Sequence, residues 1–331
     1  MIRLVQLQGR YGRRLALVDE PWLRLVAEYS TVYHIAQACA AAGCRIADEI
    51  GRQLSGEKLS YDDVYAGASE WRILPAIDHP SEPARCLVSG TGLTHIASAQ
   101  NRQAMHGAEE DLTDSMRLYR WGVEGGKPAA ACIGVAPEWF YKGCGTILRG
   151  HNEPLLIPSF ACDGGEEAEL AAVYFIDLSG APRRIGFCAG NEFSDHEFEK
   201  RNYLYLAASK LRTCSIGPEL ILAGRVDSVS GEVSIERNGA KIWEKRIQTG
   251  EQMMSHSLAN LEHHHFKFEA HRRPGDVHVH YLGAGAFSFG DGVRLQDGDV
   301  TSIRFDRFGR ALRNCVRKAT EPEMPVRVAE L

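Results

Sequence analysis

Two apolar runs separated by a short polar break dominate the middle of the chain. The first is Leu170-Ala171-Ala172-Val173-Tyr174-Phe175-Ile176-Asp177-Leu178, and the second is Arg184-Ile185-Gly186-Phe187-Cys188-Ala189. Both are short and rich in β-branched and aromatic residues, which suits buried strands. Between them, Ser179-Gly180-Ala181-Pro182 is turn chemistry. The pattern predicts a hairpin centred on Gly180-Ala181. Around it, the alternation of Ile2–Leu7 and the run Arg14–Val18 predict two strands joined at Gly9-Arg10-Tyr11-Gly12. Val32, Ile35, Ala36, Cys39 and Ile46 fall near helical spacing, which predicts a helix from Ser30-Thr31 to Asp48-Glu49. A short helix is expected over 60–68, strands over 221–226, 231–237 and 241–247, and a helix over 251–262. Asn238-Gly239 marks a tight hairpin turn between the last two strands.

The central hairpin carries the candidate chemistry. Paired positions in an antiparallel hairpin keep a constant index sum, so Leu178 facing Arg183 places Glu169 opposite Glu192. Glu167 and Glu169 are two apart and share a strand face. Three carboxylates then converge, provided no bulge intervenes. Like charges facing each other on a sheet repel, so a cation is expected between them. A hard divalent ion with oxygen ligands suits the site. A solvated acidic edge is the plainer alternative.

Composition narrows the classes. The chain has 331 residues, 44% of them hydrophobic and 24% charged, with a net charge of −5. That length holds one large core or two domains. Nothing suggests a nucleic-acid footprint, which needs a concentrated basic face, since the Arg-Arg pairs at 13–14, 183–184 and 272–273 are scattered and mixed with acids. No run approaches the about 20 apolar residues of a membrane span. The nine cysteines contain no Cys-x-x-Cys pair, and Met1–Leu7 has no signal-peptide apolar core, which implies a reducing cytoplasm.

Several ordered landmarks resemble the fumarylacetoacetate hydrolase superfamily. They are Glu167-Ala168-Glu169-Leu170-Ala171, Asn191-Glu192-Phe193-Ser194, and Lys210 leading to Gly217-Pro218. Pro274-Gly275-Asp276, Gly298-Asp299-Val300 and Asn314-Cys315-Val316 continue the frame. Gly283-Ala284-Gly285 replaces the family's Gly-Thr-Pro, and Glu192 stands where most members have Asp. The resemblance implies an α+β chain. A small N-terminal α+β domain (1–80) precedes a mixed, mostly β catalytic domain (81–331), with a lid at about 95–136, commonly as a homodimer. It implies Mg²⁺ or Mn²⁺ held by Glu167, Glu169 and Glu192. Lys142, Asn191 and Ser288 are implied at the substrate, and Lys210, His95 and Glu110 as acid–base groups. His106 competes with His95 for its role.

Gly90-Thr91-Gly92-Leu93-Thr94-His95, Trp139-Phe140-Tyr141-Lys142-Gly143 and Phe287-Ser288-Phe289-Gly290 resemble the sugar-acid subgroup. That implies a metal-dependent dehydratase, a lyase taking 2-keto-3-deoxypentonate to 2,5-dioxopentanoate. The alternatives are a C–C hydrolase of 2,4-diketo acids and a non-catalytic sugar-acid binding protein. Downstream, Ser194 with Glu197 reads as a capping box. Asp195 and His196 read as capping and helix-surface residues. Glu262-His263-His264-His265 with His278 and His280 offers a second, less favoured metal set.

Overall fold

The computed structural model describes residues 1–106 and 113–331. The long sheet has, in order, the strands Leu54–Ser60, Trp22–Val26, Gly12–Asp19, Arg3–Gly9, Leu220–Ile221, Pro182–Asn191, Ala168–Ile176, Val277–Tyr281, Cys86–Gly92 and Glu138–Cys144. The N-terminal meander joins this sheet directly, because Arg3 pairs with Ile221. A second sheet of five strands runs Ala240–Thr249, Val229–Arg237, Val300–Phe305, Leu312–Lys318 and Leu155–Ile157.

Ala168–Ile176 is buried along its whole length. Its two faces explain why. Ala171, Val173 and Phe175 pack with Val32, Ile35, Val88 and Val279 on one side. Leu170, Ala172 and Tyr174 pack with Val233, Ile247, Leu261 and Phe305 on the other. The strand is therefore apolar on both faces and loses the alternation of a half-exposed strand. Each such large apolar side chain contributes roughly 1.5–3 kcal/mol by leaving water.

The hairpin exists, but its register differs from the constant-sum expectation. Ile176 pairs with Pro182, and a bulge between Val173 and Tyr174 leaves Ile185 unpaired. Glu169 faces Gly190, and the Glu192 amide donates to the Glu167 carbonyl. The turn starts earlier than expected because Asp177 caps it, accepting from the amides of Ser179 and Ala181. Gly186 is required at the bulge, since a Cβ there would lie 2.0 Å from the Ile221 carbonyl oxygen.

Other elements shift for local reasons. The first helix, Val32–Ala42, has Thr31 as its N-cap and stops at left-handed Gly43, so 46–52 forms a separate helix. Ser60 caps the short helix Tyr61–Ala66. The 251–262 helix is instead Leu258–Phe266, started by the Ser257 side chain. Of the 221–226 segment only Ile221 is strand, as part of the short strand Leu220–Ile221. Asn238 (φ 51°) and Gly239 (φ 78°) form the expected hairpin turn. Among the described residues, no helix is long and apolar enough to cross a membrane.

Candidate metal centre

The carboxylates converge despite the shifted register. Glu167 now faces Glu192 across the hairpin mouth, and Glu169 follows two positions along the same face. Oxygens of Glu167, Glu169 and Glu192 all lie within 4.8 Å of one another. Among the described residues, this is the one group of three His, Cys, Asp or Glu with donors that close, so the histidine-rich segment forms no second metal set.

Asn191 shapes the mouth. Its Oδ1 accepts the Glu167 and Phe193 amides, both at 3.2 Å. Phe193 is held at φ 32°, left-handed backbone that a bulky residue avoids. The Lys142 ammonium holds the Phe193 carbonyl at 2.9 Å and offsets that strain.

Two buried lysines neutralise the acids. Lys210 Nζ donates to Glu167 Oε1 (2.6 Å), Glu192 Oε2 (2.5 Å) and Ser194 Oγ (2.9 Å). Lys142 Nζ donates to Glu192 Oε1 (2.6 Å) and to the carbonyls of Phe193 and Lys210. All three Lys142 protons are thus used within the protein, and its side chain is fully buried. The cation expected between the carboxylates is present here as an ammonium.

Burial opposes ionisation of Glu167, but the charge of Lys210 and the bond from His196 hold its carboxyl well below the usual range. Burial, with the charges of Glu192 and Glu167, pushes Glu169 well above it. Glu192 is pushed up by burial and by Glu167, against the pull of Lys142 and Lys210. Burial would discharge Lys210, yet Glu167 and Glu192 raise its pKa and keep it cationic.

The remaining expected residues surround this knot. Ser288 donates both its amide and its hydroxyl to Glu166, a buried carboxylate that strand reasoning passed over. His95 is buried, and burial lowers its pKa to about 4. Thr94 donates to the Leu282 carbonyl, so His95 Nδ1–H donates to Thr94 and Nε2 accepts from Thr249. The next amide, Gly283 N–H, holds Glu169 Oε2 at 2.7 Å. His95 therefore braces the peptide that grips Glu169. Glu110 lies outside the described residues.

His196 departs from its surface reading. It is 3% exposed and its Nε2 lies 3.0 Å from Glu167 Oε1. Asp195, not Ser194, caps the Val-free helix His196–Arg201, because Ser194 spends its hydroxyl on Glu192. Only the Ser-Asp-His run hinted at this, and it resembled an ordinary cap. A cavity of about 440 Å³ near Phe175, Arg183 and Leu222 lies at the turn end of the hairpin, away from the glutamates.

A divalent ion fits the donor set. Glu167 Oε2 and Glu169 Oε1 accept no hydrogen bond among the described residues, leaving hard oxygens from alternate strand positions for a cation.

No protein-family model and no curated protein matches the sequence. Solved structures do match. A 2-keto-3-deoxy-D-arabinonate dehydratase, known in an apo form and complexed with magnesium and 2,5-dioxopentanoate, superposes with a TM-score of 0.71 at 18% identity, covering 96% of this chain and 100% of that one. A 2-hydroxyhepta-2,4-diene-1,7-dioate isomerase from Mycobacterium marinum gives 0.58 at 18% identity, over 97% and 100% of the two chains. A 5-carboxymethyl-2-hydroxymuconate delta-isomerase from Mycobacterium smegmatis gives 0.56 at 18%, over 96% and 100%. With the glutamate hairpin at its centre and these structures matching along its length, the chain has the mixed α+β fold of the fumarylacetoacetate hydrolase superfamily.

Proposed function

We propose that the chain is a divalent-metal-dependent hydro-lyase acting on a 2-keto-3-deoxy sugar acid. The preferred substrate is a 2-keto-3-deoxypentonate such as the arabinonate, dehydrated to 2,5-dioxopentanoate. One observation carries this reading: Glu167, Glu169 and Glu192 converge within 4.8 Å beside a buried, charged Lys210. The neighbouring dehydratase complexed with magnesium and 2,5-dioxopentanoate supports it.

Bound at the three glutamates, Mg²⁺ or Mn²⁺ would polarise the 2-oxo group and favour loss of a C3 proton. The protein's own groups supply the rest. Lys210 keeps three protons at the mouth of the hairpin and offers one to a substrate oxygen that displaces a carboxylate contact. Lys142 fixes Glu192, and His95 with Thr94 fixes the peptide that holds Glu169. Glu110 is the proposed proton carrier: its carboxylate would take the C3 proton and return it to the departing C4 hydroxyl, which leaves as water.

A second reading, isomerisation of a related unsaturated acid at the same centre, is favoured by the two isomerase neighbours, and C–C cleavage of a 2,4-diketo acid is the alternative raised by the sequence. Turnover of both C4 epimers of 2-keto-3-deoxypentonate, with Mg²⁺ and with EDTA, separates these readings. Metal-dependent 2,5-dioxopentanoate formation, abolished in Glu169→Gln, is the expected result. Cleavage or isomerisation of diketo or dienoic acids without that product would replace it. Ligand-shifted melting without turnover of either class would mean a binding protein.

A further inference from the structure

We infer that His196 is a positioning residue that fixes which oxygen of Glu167 is left for the metal ion. The inference rests on the metal reading above. Glu167 Oε1 receives two donors, Lys210 Nζ at 2.6 Å and His196 Nε2 at 3.0 Å. Oε2 receives none among the described residues. A carboxylate with a single ammonium partner can swing and present either oxygen. A second donor from another direction, on the same oxygen, removes that freedom and leaves Oε2 as the Glu167 oxygen that carries no hydrogen bond among the described residues.

The ring is held for this bond alone. It stacks on Phe287, with centroids 5.0 Å apart and planes 24° apart, and leans on Phe289 at 5.0 Å. Its other nitrogen, Nδ1, is buried without a hydrogen-bond partner among the described residues. A histidine kept for packing would do better as Phe, which strands no polar atom. An imidazole is accounted for here by its Nε2–H, as outer partners of metal ligands usually are. The seat beneath it is equally specific. A Cβ at Gly165 would lie 2.2 Å from Nδ1, so only glycine lets the ring sit where Nε2 reaches Glu167.

Three variants separate donor from shape. His196→Phe keeps the stack and loses the N–H. His196→Gln loses the ring but carries an amide N–H to about the position of Nε2. Gly165→Ala keeps the imidazole and forces it off its seat. Mn²⁺ binding is read by electron paramagnetic resonance on the substrate-free protein, with melting temperature in EDTA as the folding control. His196→Phe and Gly165→Ala should bind Mn²⁺ about 10–100-fold more weakly, with metal-free melting close to wild type, and His196→Gln should recover most of the affinity. Wild-type affinity in His196→Phe would overturn the inference, as would a loss in His196→Gln equal to that in His196→Phe. If either His196 variant fails to fold, Gly165→Ala decides alone. Wild-type protein that binds no Mn²⁺ removes the metal reading itself, a different outcome from a variant that binds as wild type.

Discussion

The two faces of the central strand pair bury ionisable groups in opposite ways. On one face, Glu167, Glu169 and Glu192 meet Lys142 and Lys210. On the other, His278 and His280 stand opposite Tyr174 and Ala172 and meet His265 from the helix Leu258–Phe266. Both clusters are shut away from water. In the first, Lys210 and Lys142 stand at hydrogen-bond distance from Glu167 and Glu192, whereas Glu169 meets only the Gly283 amide and is pushed well above the usual carboxylate range. The second has no acid among its described partners and stays neutral. Trp139 Nε1–H donates to His265 Nδ1, so His265 Nε2–H donates to His278 Nδ1, and His278 Nε2–H is left buried without a partner among the described residues. Burial and the neighbouring rings lower His278 and His280 to about 3. Burial sets the cost of charge, and the partners decide whether it is met.

Breaking the charged cluster has the largest expected effect. Lys142→Met leaves Glu192 Oε1 buried with no donor among the described residues. Loss of one partner of such a pair costs about 3–5 kcal/mol, which urea unfolding at pH 7 measures. A loss under 1 kcal/mol would mean that Glu192 is neutral without its lysine.

The histidine cluster should show itself through pH. Folded His278 and His280 titrate near 3, against 6.5 in the unfolded chain. Below 6.5 the unfolded state binds more protons, so stability falls as pH drops and is unaffected by these rings above it. Each ring contributes a slope of about 1 kcal/mol per pH unit. His278→Phe should flatten the stability profile between pH 4 and 6 by that amount, yet at pH 7 stay within about 1 kcal/mol of wild type. An unchanged slope would mean that His278 charges in the folded protein.

How much of this was legible in the sequence differs between the clusters. Glu167 and Glu169 on one face followed from strand periodicity, and Lys210 from its resemblance to the family frame. The register did not follow, because the bulge at Ile185 and the Asp177-capped turn are set by Ile221 and by side-chain bonds that periodicity does not encode. The partners of Lys142 come from segments 50 and 68 residues away, beyond local pattern. His196 was hidden by its sequence neighbours, which supply genuine capping chemistry through Asp195. The histidines of Glu262–His265 looked like ligands in a row, but a helix sends successive side chains in different directions.

The ammonium of Lys210 between Glu167 and Glu192 has one more consequence, for how the protein is made and stored. A zinc finger lacking its ion is an unfolded chain. Here the Lys210 ammonium already sits between the carboxylates, so on the metal-dependent reading proposed above the chain would finish folding before a divalent ion is loaded. Metal starvation would then yield a dormant reserve, ready for reactivation, in place of a substrate for proteases. Chelated protein should keep its far-UV circular dichroism spectrum, and a coil-like spectrum after chelation would refute this view.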